Sequence, residues 1–491
     1  MIAGRGYYDA MPARRFTLPL IILSSALAAC RGYRSYTPAP VDTSAHAATY
    51  EARRLDDSKL LAFLTAHGAA AGGGATPSAL GLAALYFRSD VSESRALVTA
   101  ARAGEITAGT RPYPSASATL ERSASSGNSS PWTLSLATGI TFETGGKREA
   151  RLARSRAFTL ATQLRLQSTA WQLAQEARVA AVSSVAAEGD LADAAAEVGT
   201  LRVLLDLLRA RYAEGRISLA DLAQAETDVQ IATVAEAQAR RARTDARSAL
   251  ARALAVPLPA IERLPIREEP RSGCEPAESP RTDSVIATFD TTALRQRYDV
   301  GAALADYAVA EADLRLQLAQ QYPDLVIGPG IAWDQGVGRW LLSLGSNAIP
   351  LNRNRGPIAE AEARRVARAA HFAFVQDSVL AQVDSAVAAC RDVHAEIAAA
   401  DSLVAATRER LRLAQAAYAR GETGKTEVAF ARLAVVRVTR VQRQAVQRRQ
   451  RVGAVLEAAV GRWSSLPAIR WPEVLEELVP PPPDNLRERR E

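Results

Sequence analysis

One internal duplication constrains this chain more than any other feature. Tyr212-Ala213-Glu214-Gly215 recurs as Tyr418-Ala419-Arg420-Gly421. Before the first tyrosine, Leu191, Ala194, Val198, Leu201, Leu205 and Leu208 are spaced alternately three and four apart; before the second, Ile397, Ala400, Val404, Thr407, Leu411 and Ala414 repeat that spacing. Such alternation is a coiled-coil seam. After each glycine the pattern restarts, through Leu222, Ala225, Val229 and Ala232 in one copy and Val428, Ala431, Val435 and Val438 in the other. The polar interruptions match as well, Glu236 with Gln442 and Arg243 with Arg449. The chain therefore predicts two long helical hairpins, each turning at a glycine that tolerates positive φ. The first helix, from about Lys147 to Tyr212, would reach roughly 100 Å at 1.5 Å per residue.

Each hairpin is preceded by a different periodicity. Trp132, Leu134, Leu136, Thr138, Ile140 and Phe142 alternate with Thr133, Ser135, Ala137, Gly139 and Thr141. Period two with one apolar and one small polar face is a strand. Pro114 to Arg122 is a weaker strand, joined to it by a Ser-rich turn from Ser123 to Ser130. Before the second hairpin, Leu325, Ile327, Pro329, Ile331 and Trp333 alternate with Asp324, Val326, Gly328, Gly330 and Ala332, and after a turn at Gly336 to Gly338, Trp340, Leu342 and Leu344 alternate with Leu341, Ser343 and Gly345. Four strands of about ten residues can each cross a hydrocarbon layer. Trp132, Trp333 and Trp340 stand near strand ends, where interfacial aromatics belong. A soluble β-lid is the alternative, but four strands between very long helices pack poorly as one. About eight strands make the smallest useful barrel, so the protomer must oligomerise. No segment carries about twenty consecutive apolar residues after the N-terminal region, so any crossing is by a closed barrel.

Composition narrows the function. Lys and Arg outnumber Asp and Glu by 60 to 53, with both signs interspersed along the chain, which reads as solvated helix faces and argues against nucleic acid. Aromatic content is only 5% and Ala abounds, as in thin helical bundles. Cys30, Cys274 and Cys390 show no metal-ligand spacing, the four histidines are scattered, and no metal or cofactor is expected. In an oxidising compartment Cys274 and Cys390 could pair. No Ser-His-Asp set, phosphate loop or paired carboxylates appear, so no catalytic residue is assigned; Gly145-Gly146-Lys147 lacks phosphate-loop spacing and reads as a strand-to-helix turn. At the N-terminus, Arg14 and Arg15 precede the apolar run Phe16 to Leu23 and then Leu27-Ala28-Ala29-Cys30, a secretory signal. That tetrad resembles a bacterial lipobox, which implies cleavage before a lipidated, palmitate-bearing Cys30. Arg31 follows it, with no Asp to favour the inner membrane, and Met11 is an alternative start.

With these pieces in place the layout resembles the TolC-type outer-membrane efflux family over roughly residues 80 to 465. The most specific segments are Ile349-Pro350-Leu351-Asn352-Arg353-Asn354-Arg355-Gly356-Pro357-Ile358, its counterpart Glu143-Thr144-Gly145-Gly146-Lys147-Arg148, and the two hairpin turns. The resemblance implies a mainly α protein with a transmembrane β part: a duplicated strand pair plus long coiled-coil hairpin. It implies a homotrimer that forms a 12-stranded β-barrel and an α-helical barrel. It implies a passive conduit, not an enzyme, held in outer membrane lipid, extending into the periplasm, and working with a periplasmic adaptor and an inner-membrane pump. Its hairpin tips, Tyr212, Gly215, Ser218, Asp221, Tyr418 and Gly421, would dock the adaptor. In the second tip Gly424 and Lys425 replace Ser218 and Leu219, although Glu427 keeps the acid of Asp221. The pattern also resembles the heavy-metal branch (CzcC/CusC-like), yet two Met and no Met, His or Cys ladder leave metal ions and drugs both open as cargo. The rival reading is a periplasmic structural or adaptor lipoprotein with coiled-coil hairpins; duplication of the hairpin and the period-two strands weigh against it. The expected organisation is a signal peptide (1–29), a lipidated extension (30–77), a first repeat (78–256), a Pro-rich link (257–285), a second repeat (286–465) and a tail (466–491).

Overall fold

The computed structural model describes residues 36–69, 75–124, 131–269, 274, 283–334, 337–346, 351–463, 466 and 473–475. Cys30 and the signal before it, Gly72 to Gly74, Ser125 to Ser130, Gly336, Ile349-Pro350 and Pro480 to Pro483 lie outside the described residues. The chain divides into two compact units, residues 1–49 and 50–491. In the first, residues 36–42 have no regular structure and lead into α1 (Thr43–Glu51), whose start Asp42 caps by accepting from the Ser44 and Ala45 amides.

The second unit contains the duplication. After α2 (Ser58–Ala66), its first copy runs α3 (Pro77–Phe87), α4 (Ser89–Gly109), β1 (Ser115–Arg122), β2 (Trp132–Phe142), α5 (Lys147–Ala213) and α6 (Leu219–Leu254). After a single-turn α7 (Pro259–Glu262), the second copy runs α8 (Asp283–Gln296), α9 (Tyr298–Ala319), β3 (Leu325–Asp334), β4 (Val337–Gly345), α10 (Arg355–Ala419) and α11 (Lys425–Val460). Much of the seam expected of the first hairpin is buried: Val198, Leu201, Leu205 and Leu208 of α5 share one core with Val229 and Ala232 of α6, and Ala194 is buried as well. Those leucines and valines recur at i, i+3 and i+4, which puts them on one stripe, and burial of each contributes about 1.5–3 kcal/mol.

Residues 80 to 109 do not form a single helix; the chain breaks at Arg88, which takes an extended backbone (φ −76°, ψ 126°) between α3 and α4. The break lets α3 turn inward: every residue from Pro77 to Leu85 is buried, as in a helix apolar all round that serves as a core element. It packs with Leu60 and Phe63 of α2, Leu250 and Leu254 of α6, and Trp171 of α5, whose ring lies 5.8 Å from that of Trp463. Ile266 of the link forms a parallel bridge with Ala75, which precedes α3.

A fully buried ionic group joins these layers. Arg178 of α5 pairs with Glu457 of α11 and approaches Glu269 of the link at 3.7 Å, while Glu269 accepts from the Ser78 amide at 3.0 Å and its hydroxyl at 2.8 Å. The guanidinium also sits 5.3 Å from the Trp463 ring. Burial drives the Glu269 carboxyl above the usual range against the pull of Arg178. A second cluster, built from Val379, Val383, Val387 and Cys390 of α10 with Ala293 of α8 and Leu456 of α11, forms the corresponding core of the second copy. There Cys274, in the link, and Cys390 are joined as a disulfide, with their Cα atoms 5.8 Å apart.

Candidate channel wall, hairpin tips and repeat junction

The four strands make one antiparallel sheet in the order β1-β2-β3-β4. Register decides which side chains share a face. Leu120 opposes Leu134 and Ala118 opposes Leu136; Leu136 in turn opposes Ile331, and Ile331 opposes Trp340. Trp132 and Trp333 belong to the same apolar face, and all three tryptophans are exposed, Trp340 at 91%. The other face is mainly small or polar, with Leu341 and Val326 as larger apolar members: Thr119, Ser135, Ala332 and Arg339 lie in one row, and Glu121, Thr133, Asp334 and Val337 in the next. In that row Thr133 donates to Asp334 at 2.9 Å, and Arg339 pairs with Asp334 at 3.0 Å. Neither β1 nor β4 has an outer partner strand among the described residues, so the sheet presents two open edges.

The turns that carry strand into helix are built alike in both copies. Gly145 and Gly146 (φ +66° and +71°) begin α5, and Arg353 and Asn354 (φ +52° and +55°) begin α10. Two successive left-handed residues reverse the chain. Glycine is required at 145, where a Cβ would lie 2.7 Å from the Tyr322 ring. Lys147 pairs with Asp324 at 2.7 Å, which also accepts from the Thr144 amide at 3.1 Å. The first copy's exit from the sheet is thus tied to the second copy's way in.

At the far ends of the hairpins, the tip residues fall into the same local geometry. The Arg216 amide bonds to the Arg211 carbonyl at 2.9 Å and Gly215 to Tyr212 at 2.8 Å; Glu422 bonds to Ala417 and Gly421 to Tyr418, both at 2.9 Å. Each is a Schellman turn with its glycine in the left-handed region, φ +70° at Gly215 and +77° at Gly421. Tyr212 and Tyr418 are both exposed. Ser218 and Asp221 form a capping box at the start of α6, and the Ser218 hydrogen bonds hold the Asp221 carboxyl below the usual range. Gly424 supplies no such cap to α11. An ion pair spans each turn with inverted polarity: Glu214 with Arg216 in the first, Arg420 with Glu422 in the second. Arg211 reaches across to α11, 3.2 Å from the Thr426 hydroxyl and 3.7 Å from Glu427, so the two tips of one protomer touch. Arg412 and Glu409, on α10 above the second tip, pair with each other at 2.7 Å on an exposed face.

Residues 82–256, which span α3 to α6, match the family described as outer membrane efflux protein. The first repeat belongs to that family. Solved structures extend the likeness in fold across both repeats. A membrane protein from Pseudomonas aeruginosa is 21% identical, with a TM-score of 0.64, covering 87% of this chain and 99% of its own. The outer membrane protein VceC from Vibrio cholerae is 19% identical, with a TM-score of 0.62, covering 78% of this chain and 95% of its own. The outer-membrane channel OprN is 18% identical, with a TM-score of 0.64 and 88% and 98% covered. No curated protein sequence gives a significant match.

Both repeats contain a clasp that the sequence reading missed. Arg88 grips Asp90 through two bonds, 3.1 Å from Nε and 2.7 Å from Nη2, and Nη1 donates to the Ala253 carbonyl at 3.2 Å. Arg297 grips Asp299 at 3.0 and 2.6 Å, and its Nη1 donates to the Ala459 carbonyl at 3.2 Å. Each arginine closes the last turn of a returning helix, where orphan carbonyls and the negative end of the helix dipole favour a cation. The bidentate bond lowers the Asp90 carboxyl below its usual range. The signal was present as Arg-x-Asp at the same point in each copy, but only the fold shows what the arginine reaches. The helices packed against α5 also change at this level. Arg154 pairs with Asp313 and Arg165 with Asp306, which holds α9 against α5 on the strand side; Arg437 pairs with Glu197, which holds α11 against α5 on the tip side. Between the start of α9 and the end of α11, a groove of about 740 Å³ opens between α5 and α10, with Arg297 and Asp299 in its lining.

Proposed function

We propose that this chain is one protomer of a trimeric outer-membrane efflux channel, a passive conduit for small solutes from periplasm to exterior. The observation that carries the proposal is the four-stranded sheet with two open edges and one continuous apolar face. Open edges expose unpaired backbone groups, which hydrocarbon does not tolerate. Three copies joined edge to edge give twelve strands with no edge left, an apolar outside and a small polar lumen. The hairpins then extend from that barrel through the periplasm, α5 alone by about 100 Å for its 67 residues. An adaptor lipoprotein has no use for an apolar strand face, and so the rival reading loses support. Among the described residues no helix is long and apolar enough to cross a membrane.

Partners follow from the same architecture. Three protomers present six tips, and Tyr212, Gly215, Ser218, Asp221, Tyr418 and Gly421 are the surface for a periplasmic adaptor that links the channel to an inner-membrane pump. Cys30 is the lipid attachment point. In mild detergent the protein should run as a heat-sensitive trimer and conduct ions in planar bilayers; a monomer without conductance would refute the channel. Gly215→Val or Gly421→Val places a β-branched residue at positive φ and should cost at least about 1–2 kcal/mol at the turn. The trimer should survive while adaptor cross-linking and efflux-dependent resistance fall. Unchanged cross-links would remove the tips from the docking site.

A further inference from the structure

We propose that Cys274, Cys390 and His394 form a soft-metal site in the reduced chain, so that a disulfide and a d10 cation compete for the same two sulfurs. Cys390 and His394 stand one turn apart on α10, at i and i+4, and share a face of that helix. Cys274 comes to them from the link, 116 residues earlier. Its sulfur lies 3.6 Å from His394 Nε2, and the three ligand atoms are all within 4.8 Å of one another. Position along the chain hides this trio, because only two of its members are neighbours in sequence.

The two repeats part company at this level. An offset of 206 residues carries Tyr212 onto Tyr418 and Gly215 onto Gly421, and it also carries Ser184 onto Cys390 and Glu188 onto His394. In the first repeat, Glu188 accepts from Arg243 at 2.7 Å and from Arg247 at 2.6 Å, and Arg247 donates to the carbonyls of Ile261 and Glu262 at 2.6 Å. Charge therefore ties the hairpin to the chain that leaves it. In the second repeat the position of Arg247 is Gly453, which offers no side chain for that tie. Two sulfurs and an imidazole stand in its place.

The chemistry balances. A dithiol reductant supplies two electrons and two protons; the Cys274–Cys390 bond breaks, each sulfur leaves as a thiol, and the reductant closes to its own disulfide. Cation binding then releases both thiol protons to solvent. Tetrahedral metal–sulfur bonds of about 2.3 Å place two sulfurs about 3.8 Å apart, a separation that rotation of the side chains supplies. Two thiolates and one imidazole suit Zn²⁺ or Cu⁺, whereas Mg²⁺ and Ca²⁺ demand oxygen ligands. With Zn²⁺ the pair of buried thiolates becomes a neutral group, which burial requires. Both cysteines are fully buried and His394 is half-buried, so the cation approaches from the imidazole side and takes its fourth ligand there. The metal is a clamp rather than cargo, because it closes the same 116-residue loop as the disulfide.

The test uses the full chain in mild detergent, reduced with a phosphine and then offered Zn²⁺ or Cu⁺. Native mass spectrometry should find one ion per reduced chain and none per oxidised chain. Bound metal should protect Cys274 and Cys390, identified by peptide, from alkylation. His394→Gln leaves the disulfide intact and should weaken binding by at least the roughly 10–100-fold that even an outer-shell partner is worth. Cys274→Ser and Cys390→Ser should abolish it. If reduction loosens the fold, Zn²⁺ should restore the circular dichroism signal. No ion in the reduced chain, equal affinity in His394→Gln, equal alkylation with and without metal, or a loosened fold that Zn²⁺ leaves unrepaired would each overturn the proposal.

Discussion

Arginine placed on one face or the other of β2 separates a membrane barrel from a soluble sheet. Leu136 is the fifth of the eleven residues of β2, opposite Ala118 and Ile331 on the apolar face. At about 3.4 Å per residue the strand is about 37 Å long, and a tilt of about 40° brings its rise to about 28 Å, the depth of a hydrocarbon layer. Leu136 then lies near the midplane. Leu136→Arg should cost roughly 2–4 kcal/mol per protomer, Leu134→Arg less, and Trp132→Arg about 0–1 kcal/mol at the interface. Ser135→Arg points the same charge to the lumen side, beside the short Thr119 and Ala332, and should cost under about 1 kcal/mol. The measurements are urea unfolding from lipid bilayers and the fraction of heat-sensitive trimer. Equal losses for Leu136→Arg and Ser135→Arg would refute a sheet with one face in lipid. Ser343, on the lumen side of β4, is not an equivalent control: its hydroxyl donates to the Gly328 carbonyl at 3.1 Å and occupies the space where a Gly328 Cβ would be.

Arg178→Met strands two buried carboxylates and should lower stability by about 3–5 kcal/mol by thermal unfolding. Glu269 already has a raised folded pKa, so its contribution favours folding below its unfolded value and is lost as pH rises through the folded one. The variant should accordingly recover stability on acidification below neutral pH, and a flat profile would count against the buried triad. Arg297→Ala and Arg88→Ala should each cost about 1–3 kcal/mol, and similar amounts, because each frees one aspartate and one terminal carbonyl in matching geometry. A cost confined to one of them would show that the clasps are not equivalent. Cys30→Ser should abolish acyl labelling of the protein, and equal labelling in the variant would remove the lipid anchor.

Periodicity is local, and what it encodes was legible. The three-four spacing that ends at Tyr212 and Tyr418 specifies hairpins because a helix stripe must be buried somewhere. The two-residue alternation from Trp132 to Phe142 specifies a strand because side chains alternate across a pleat. The tip glycines were readable for the same reason, since a Schellman turn needs its left-handed residue at one place in the chain. Arg353 and Asn354 were harder, because neither advertises the positive φ that Gly145 and Gly146 announce.

Contacts between distant segments carry no such local period, and these only the tertiary structure decided. Arg88 looks like one charge among many until Ala253, 165 residues away, brings its helix end to it. The break at Arg88 that buries α3, the meeting of Arg178 with Glu269 and Glu457, and the approach of Cys274 to Cys390 and His394 all depend on loops that close over more than 80 residues. The sequence by itself determined the elements, their duplication and the face each one hides, because those follow from steric and solvation rules along a few turns of chain. Which copy's arginine, carboxylate or sulfur meets which partner depends on how the copies stack, and that is set by packing across the whole wall.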